Sequence, residues 1–119
     1  MVNIMTNTKF EEKPWGYEKI LFCSDTHYLF KELFMKKGCR CSLQHHVDKR
    51  ETVYIIEGKL KVLLDDEIYL LHPHNHLSIS PGQIHRMEAI TDTLYLEAST
   101  PHPNDVVRHE DDYGRTHRL

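Results

Sequence analysis

No stretch of this 119-residue chain approaches the ~20 consecutive apolar residues that a bilayer-spanning helix needs. The N-terminus also lacks the charged-then-apolar pattern of a secretory leader. No membrane partner is expected, and the chain reads as cytoplasmic. Runs of basic residues are absent as well. Lys and Arg total 15 against 18 Asp and Glu, the formal charge is −3, and the cations are scattered, so no nucleic-acid partner is expected. Three cysteines cannot build a disulfide framework, and Cys39 and Cys41 sit two apart in a candidate strand. That spacing suits neither a disulfide nor a zinc knuckle, and reduced thiols are expected. No window of ten or more residues carries a strong helical repeat; the polar C-terminal tail is the one segment where a helix remains an option. Internal repeats and low-complexity segments are missing.

What remains is a chain of one-domain length with a modest core and ten histidines, an unusual number for this size. From Tyr17 to about Glu97 short β-type runs alternate with turn signals. Tyr17–Phe22 and Tyr28–Met35 flank one hairpin connection, and Leu60–Leu64 and Ile68–Leu71 flank another at Asp65-Asp66-Glu67. Thr52–Ile56, Leu77–Ser80, Ile84–Ala89 and Thr93–Ala98 complete the set. Many short strands with Gly and Pro in the gaps predict an all-β sandwich or small barrel. Met1–Glu11 and Arg115–Leu119 are expected to be loosely ordered ends.

Two segments about forty residues apart carry the chemistry. Ser42-Leu43-Gln44-His45-His46 precedes Glu51, between Gly38 and Gly58, and Pro81-Gly82-Gln83-Ile84-His85 follows later. Gln44 and His46 are two apart, so a strand points both to one face and turns His45 away. Arg40 and Ser42 share that parity. Gln44, His46, Glu51 and His85 thus offer an N/O donor set for one divalent metal, zinc first, with Fe, Mn, Co or Ni as alternatives. Any one of them alone reads better as a polar residue on a half-exposed sheet. Four in this order, bracketed by glycines and a Pro-Gly turn, favour the metal.

Gly38–Gly58 and Pro81–Ala89 resemble the two motifs of the cupins, small double-stranded β-helix (jelly-roll) barrels with a metal in the mouth. Lys13-Pro14-Trp15-Gly16, Arg40-Cys41-Ser42-Leu43-Gln44, Gly82-Gln83-Ile84-His85-Arg86 and Arg108-His109-Glu110-Asp111-Asp112-Tyr113-Gly114-Arg115 narrow the resemblance to type II mannose-6-phosphate isomerases. There the cupin usually follows a mannose-1-phosphate guanylyltransferase domain; here the expectation is a stand-alone cupin at 13–115, with an N-terminal arm at 1–12 and a tail at 116–119. The resemblance implies Gln44, His46, Glu51 and His85 as ligands, and Arg40 and Arg115 as partners of an anionic sugar. It departs from the family at Asp48-Lys49, where His-Arg is typical, and at Ser99-Thr100-Pro101-His102-Pro103, where a glutamine and a glycine-containing loop are usual.

The expected activity is aldose–ketose isomerisation of a sugar phosphate in carbohydrate or polysaccharide metabolism, with Glu97 or a metal-bound water as the base. Two alternatives stand beside it. His46, Glu51 and His85 alone match the two-histidine, one-carboxylate set of non-haem Fe(II) dioxygenases, and a non-catalytic sugar-binding module is the other. A homodimer is expected, with an arm before Trp15 crossing to the partner. Trp15 is read as a sugar platform or as an anchor for that arm, and His72-Pro73-His74-Asn75-His76 as a surface turn rather than a second metal site. Arg108 and Arg115 are read either as a phosphate clamp or as ion-pair partners of Glu110, Asp111 or Asp112.

Overall fold

The computed structural model describes residues 8–116, all of them in strands, turns or irregular segments. Eleven strands follow in order: β1 Lys9–Lys13, β2 Gly16–Cys23, β3 Leu29–Met35, β4 Leu43–His45, β5 Glu51–Glu57, β6 Leu60–Leu64, β7 Glu67–Leu71, β8 His76–Ile79, β9 His85–Ala89, β10 Thr93–Ser99 and β11 Val107–Glu110. They form a six-stranded sheet, β1-β2-β3-β10-β5-β8, and a five-stranded sheet, β11-β4-β9-β6-β7. Every pairing is antiparallel.

Alternation builds the core, because successive residues of a strand face opposite sides. In β5, Glu51, Val53 and Ile55 are buried, while Thr52, Tyr54 and Ile56 are half-buried on the outer side. In β3 the buried set is Leu29, Lys31, Leu33 and Met35. These inner faces meet Leu60, Val62, Leu64, Met87 and Ala89 of the second sheet, with Ile79 and Tyr95, in one apolar cluster. Gly58 makes the β5–β6 reversal possible. Its φ is +93°, and a Cβ there would stand 2.2 Å from the Asp92 carbonyl oxygen, so only glycine fits.

Two expectations about the ends need correction. Residues 9–12 of the expected arm are not loose: β1 runs alongside β2 from Lys9↔Ile20 to Lys13↔Gly16. Residues 1–7, the rest of that arm, lie outside the described residues, as does the tail from 117. The polar C-terminal stretch is a strand, β11, paired to β4 through Val107↔His45 and Arg108↔Gln44. Pairing to a neighbouring strand decides this segment, and local helical patterning does not.

Candidate metal centre and its cavity

A cavity of about 730 Å³ opens between the inner face of the six-stranded sheet, β4 and the C-terminal segment. His46 and Glu51 line its wall, and the fully buried His85 stands against Glu51. One ligand atom from each lies within 4.8 Å of the others, so small rotamer adjustments bring all three onto one ion. His46 follows directly on β4, Glu51 opens β5, and His85 opens β9. Glu51 Oε1 stands 3.7 Å from His46 Nε2 and 3.5 Å from His85 Nε2. His46 Nδ1 donates to the Asp105 carbonyl at 2.5 Å, and His85 Nδ1 donates to the Gln83 carbonyl at 2.9 Å. A carbonyl can only accept, so both imidazoles carry a proton on Nδ1 and turn Nε2 toward Glu51. Both Nε2 atoms are buried without a hydrogen-bond partner. That is the donor set and the outer-shell carbonyl support a divalent ion uses.

Gln44 sits beside this group, paired with His85 across β4 and β9 and lining the cavity. Its Oε1 accepts from Ser42 Oγ at 2.6 Å. His45 faces away, as parity requires, and stacks on His109 with Nδ1 and Nε2 2.7 Å apart.

Arg40 does not reach the cavity. It is on the outside, bidentate to Asp112 at 2.6 and 2.9 Å, with 40% of its side chain exposed. The reason is a bulge. Arg40 pairs with Glu88 and Gln44 with His85, so four steps along one strand match three along the other. The extra residue, at Cys41-Ser42, buries both of those neighbours and inverts the parity that would have aligned Arg40 with Gln44. Arg108 takes the inner position instead. It lines the cavity beside Gln44, and its Nε is buried without a partner. Burial and the nearby Arg115 charge lower its pKa. Arg115 lines the same wall, with Nε 2.8 Å from Asp111 Oδ2 and its guanidinium 5.6 Å from the Tyr113 ring centre.

The polar interior also contains residues that sequence reasoning passed over. Lys49, nearly fully buried, places Nζ 3.0 Å from Glu51 Oε2 and 2.9 Å from Glu97 Oε2. Lys31 pairs with Glu18 and lies 3.9 Å from Glu97, and Lys13 stands 3.4 Å from Glu18. Carboxylates and ammoniums thus alternate from the triad toward β1. Burial would raise the Glu51 carboxyl, but the two imidazoles and Lys49 hold it well below the usual range. Burial raises Glu97, and the Glu51 charge adds to the rise against the pull of Lys49 and Lys31. Lys31 did leave a signal, since it shares parity with Leu29, Leu33 and Met35; an inward lysine needs an inward acid.

The other histidines do not gather. Among the described residues the only cluster of three or more potential His, Cys, Asp or Glu ligands is His46, Glu51 and His85; His74 instead meets the Tyr54 hydroxyl at 2.9 Å. Trp15 is 5% exposed, belongs to the core and also lines the cavity. Asp65 ties the β6–β7 turn to Gln83 and Ile84.

Residues 3–111 match the family described as mannose-6-phosphate isomerase C-terminal. The chain belongs to that family. It is 32% identical over 111 residues to the xanthan biosynthesis protein XanB of Xanthomonas campestris pv. campestris. It is 31% identical over 111 residues to the alginate biosynthesis protein AlgA of Pseudomonas aeruginosa, and 30% over 113 to the mannose-1-phosphate guanylyltransferase of Escherichia coli. Each alignment covers 87% of this chain and 22–23% of the relative, so the chain spans less than a quarter of those proteins. Among solved structures it is similar to the capsular polysaccharide assembling protein CapF from Staphylococcus aureus, with a TM-score of 0.76 and 19% identity over 89% of this chain and 35% of that one. An RmlC-like cupin from Shewanella frigidimarina gives 0.73 and 18%, over 82% and 86%. The fold of this family member is that of a cupin, two antiparallel sheets packed around one core.

Proposed function

We propose that this cupin is a metal-dependent aldose–ketose isomerase acting on a phosphorylated sugar, of the mannose-6-phosphate isomerase type. The observation that carries the reading is the pair of buried imidazole Nε2 atoms. Both are oriented by carbonyls on Nδ1, unpartnered, and turned to one oxygen of a buried carboxylate. The family match supports the substrate class.

His46, Glu51 and His85, with Gln44 beside them, would hold a divalent ion, zinc first. Such an ion supplies Lewis acidity toward the carbonyl and adjacent hydroxyl oxygens of an open-chain sugar. Glu97 is the proton carrier in this scheme. Its raised pKa makes it a stronger base than an exposed carboxylate. It takes the proton from C2 and returns it to C1, while the hydroxyl proton passes from O2 to O1, so the atoms balance. Lys49 holds Glu97 and Glu51 at a fixed separation by bridging both. Arg108 and Arg115 receive the phosphate, and Arg108 gains the partner its buried Nε lacks.

Metal analysis of protein purified without chelator, followed by turnover assays on mannose 6-phosphate and a panel of other aldose and ketose phosphates, tests the proposal. Stoichiometric metal with no turnover of any phosphosugar sinks it. One observation supports a second reading. Gln44 Oε1 is already engaged by Ser42, and without it the set reduces to two histidines and a carboxylate, the arrangement of non-haem Fe(II) oxygenases. Iron as the resident metal with dioxygen consumption would favour that reading.

A further inference from the structure

We propose that Lys49 is a positioning residue for the metal centre: its ammonium occupies one oxygen of Glu51, so this carboxylate serves a bound ion through the other oxygen alone. The inference rests on the metal reading above and extends it to which ions the site selects and which positions stay open. Glu51 Oε1 stands 3.7 Å from His46 Nε2 and 3.5 Å from His85 Nε2. Glu51 Oε2 stands 3.0 Å from Lys49 Nζ. One oxygen of the carboxyl thus faces the two imidazoles, and the other faces a cation.

Lys49 is fixed in that place by two further carboxylates. Its Nζ stands 2.9 Å from Glu97 Oε2, and its amide donates to Asp105 Oδ2 at 2.9 Å. The residue is 5% exposed. Swinging the ammonium aside would strand it away from water and leave Glu51 and Glu97 as buried, uncompensated charges. Glu97 is restrained in turn, with Lys31 Nζ 3.9 Å from the same Oε2. Glu51 Oε2 is therefore withheld from any ion that His46 and His85 bind.

The consequence is selectivity. A carboxylate that offers both oxygens suits hard cations such as Mn²⁺, Mg²⁺ and Ca²⁺, which favour oxygen-rich ligand sets. Two imidazole nitrogens with a single carboxylate oxygen suit zinc and its later transition-metal neighbours instead. The position that a second Glu51 oxygen would fill also stays available to a sugar oxygen, as the proposed isomerisation requires.

Calorimetric titration of the chelator-stripped full chain with Zn²⁺ and with Mn²⁺ tests this. Lys49→Met is expected to narrow the preference for Zn²⁺ over Mn²⁺ about 10-fold or more, because Oε2 becomes a second oxygen ligand. The ratio of the two affinities cancels the attraction that losing a buried cation gives both ions alike. Lys31→Met removes a neighbouring buried cation that pairs with Glu18 and lies near Glu97, and it should leave the ratio at the wild-type value. Lys49→Arg keeps a cation on Oε2 and should do the same. Water-proton relaxation of the Mn²⁺-loaded protein should fall in Lys49→Met, as Oε2 displaces a bound water. Lys49→Met combined with Glu97→Gln leaves no unpaired Glu97 charge and gives the same readout should the single variant fail to fold. A ratio unchanged by removal of Lys49, or the same change in Lys31→Met or Lys49→Arg, overturns this proposal and leaves the metal reading standing. A wild type that binds no zinc overturns both.

Discussion

Asp105→Asn perturbs one of the most densely tied residues at the site. The Asp105 carboxylate accepts backbone N–H bonds from Val47 at 2.9 Å, Asp48 at 2.8 Å and Lys49 at 2.9 Å. Its carbonyl accepts from His46 Nδ1. The residue therefore fastens the C-terminal segment to the β4–β5 connection and sets the direction of the His46 ring. The amide of the variant keeps one oxygen acceptor but loses the charge and brings an NH₂ toward amide donors. The connection is partly open to water, so the cost is about 1–2 kcal/mol, below that of a fully buried site. For a domain of this size that is a melting shift of roughly 4–8 °C. Burial would raise the pKa of Asp105, but the three amides bring it down to about 2 from 3.8. A carboxyl with a depressed folded value stabilises above its unfolded value and loses that stabilisation as pH falls. The gap between wild type and Asp105→Asn should be full well above pH 3.8 and should close as pH falls through about 2. Urea unfolding of metal-free protein at a series of pH values reads this gap. Zinc titration by calorimetry should show affinity reduced ~10-fold or more, since the ring support of His46 is loosened. A stability loss that is the same at every pH, or zinc affinity equal to wild type, refutes the reasoning.

The two arginines at odds with parity separate cleanly. Arg108→Ala should raise KM for a turned-over phosphosugar about 10-fold or more, while Arg40→Ala, which removes a surface pair with Asp112, should leave KM unchanged and cost less than ~1 kcal/mol in denaturant unfolding. Lys49→Met leaves Glu51 and Glu97 facing each other without their bridge; unfolding measurements should show a loss of ~3–5 kcal/mol, reduced when arginine is substituted instead. His85→Ala should abolish stoichiometric metal in elemental analysis while the chain stays folded by circular dichroism. Metal-dependent folding of the wild type would instead mark the site as structural. Gly58→Ala should lower the melting temperature sharply, because φ +93° and the Asp92 carbonyl leave a Cβ no room.

The strands were legible because their signal is local. Period-two alternation in β3 and β5 and the breaks at Gly58 and Asp65-Asp66 report backbone geometry a few residues at a time. His46, Glu51 and His85 were legible for a related reason: their residue types and spacing mark one kind of chemistry, and the resemblance tied the two segments together. The amino-acid sequence by itself therefore determined an all-β barrel and which donors meet in it. Other features depend on which strand lies beside which. The extra residue at Cys41-Ser42 appears only against β9, because a bulge is a mismatch between two strands; it alone turns Arg40 out. Arg108 enters because β11 docks on β4 beside Gln44, a pairing across more than sixty residues. Lys49, Glu97, Lys31 and Glu18 sit far apart along the chain and become a charge network only when β2, β3, β10 and the β4–β5 connection bring them inside. There each ion needs its partner because water is excluded. Tertiary structure decided these features, since a strand's alternation tells which residues face inward but not what they will face.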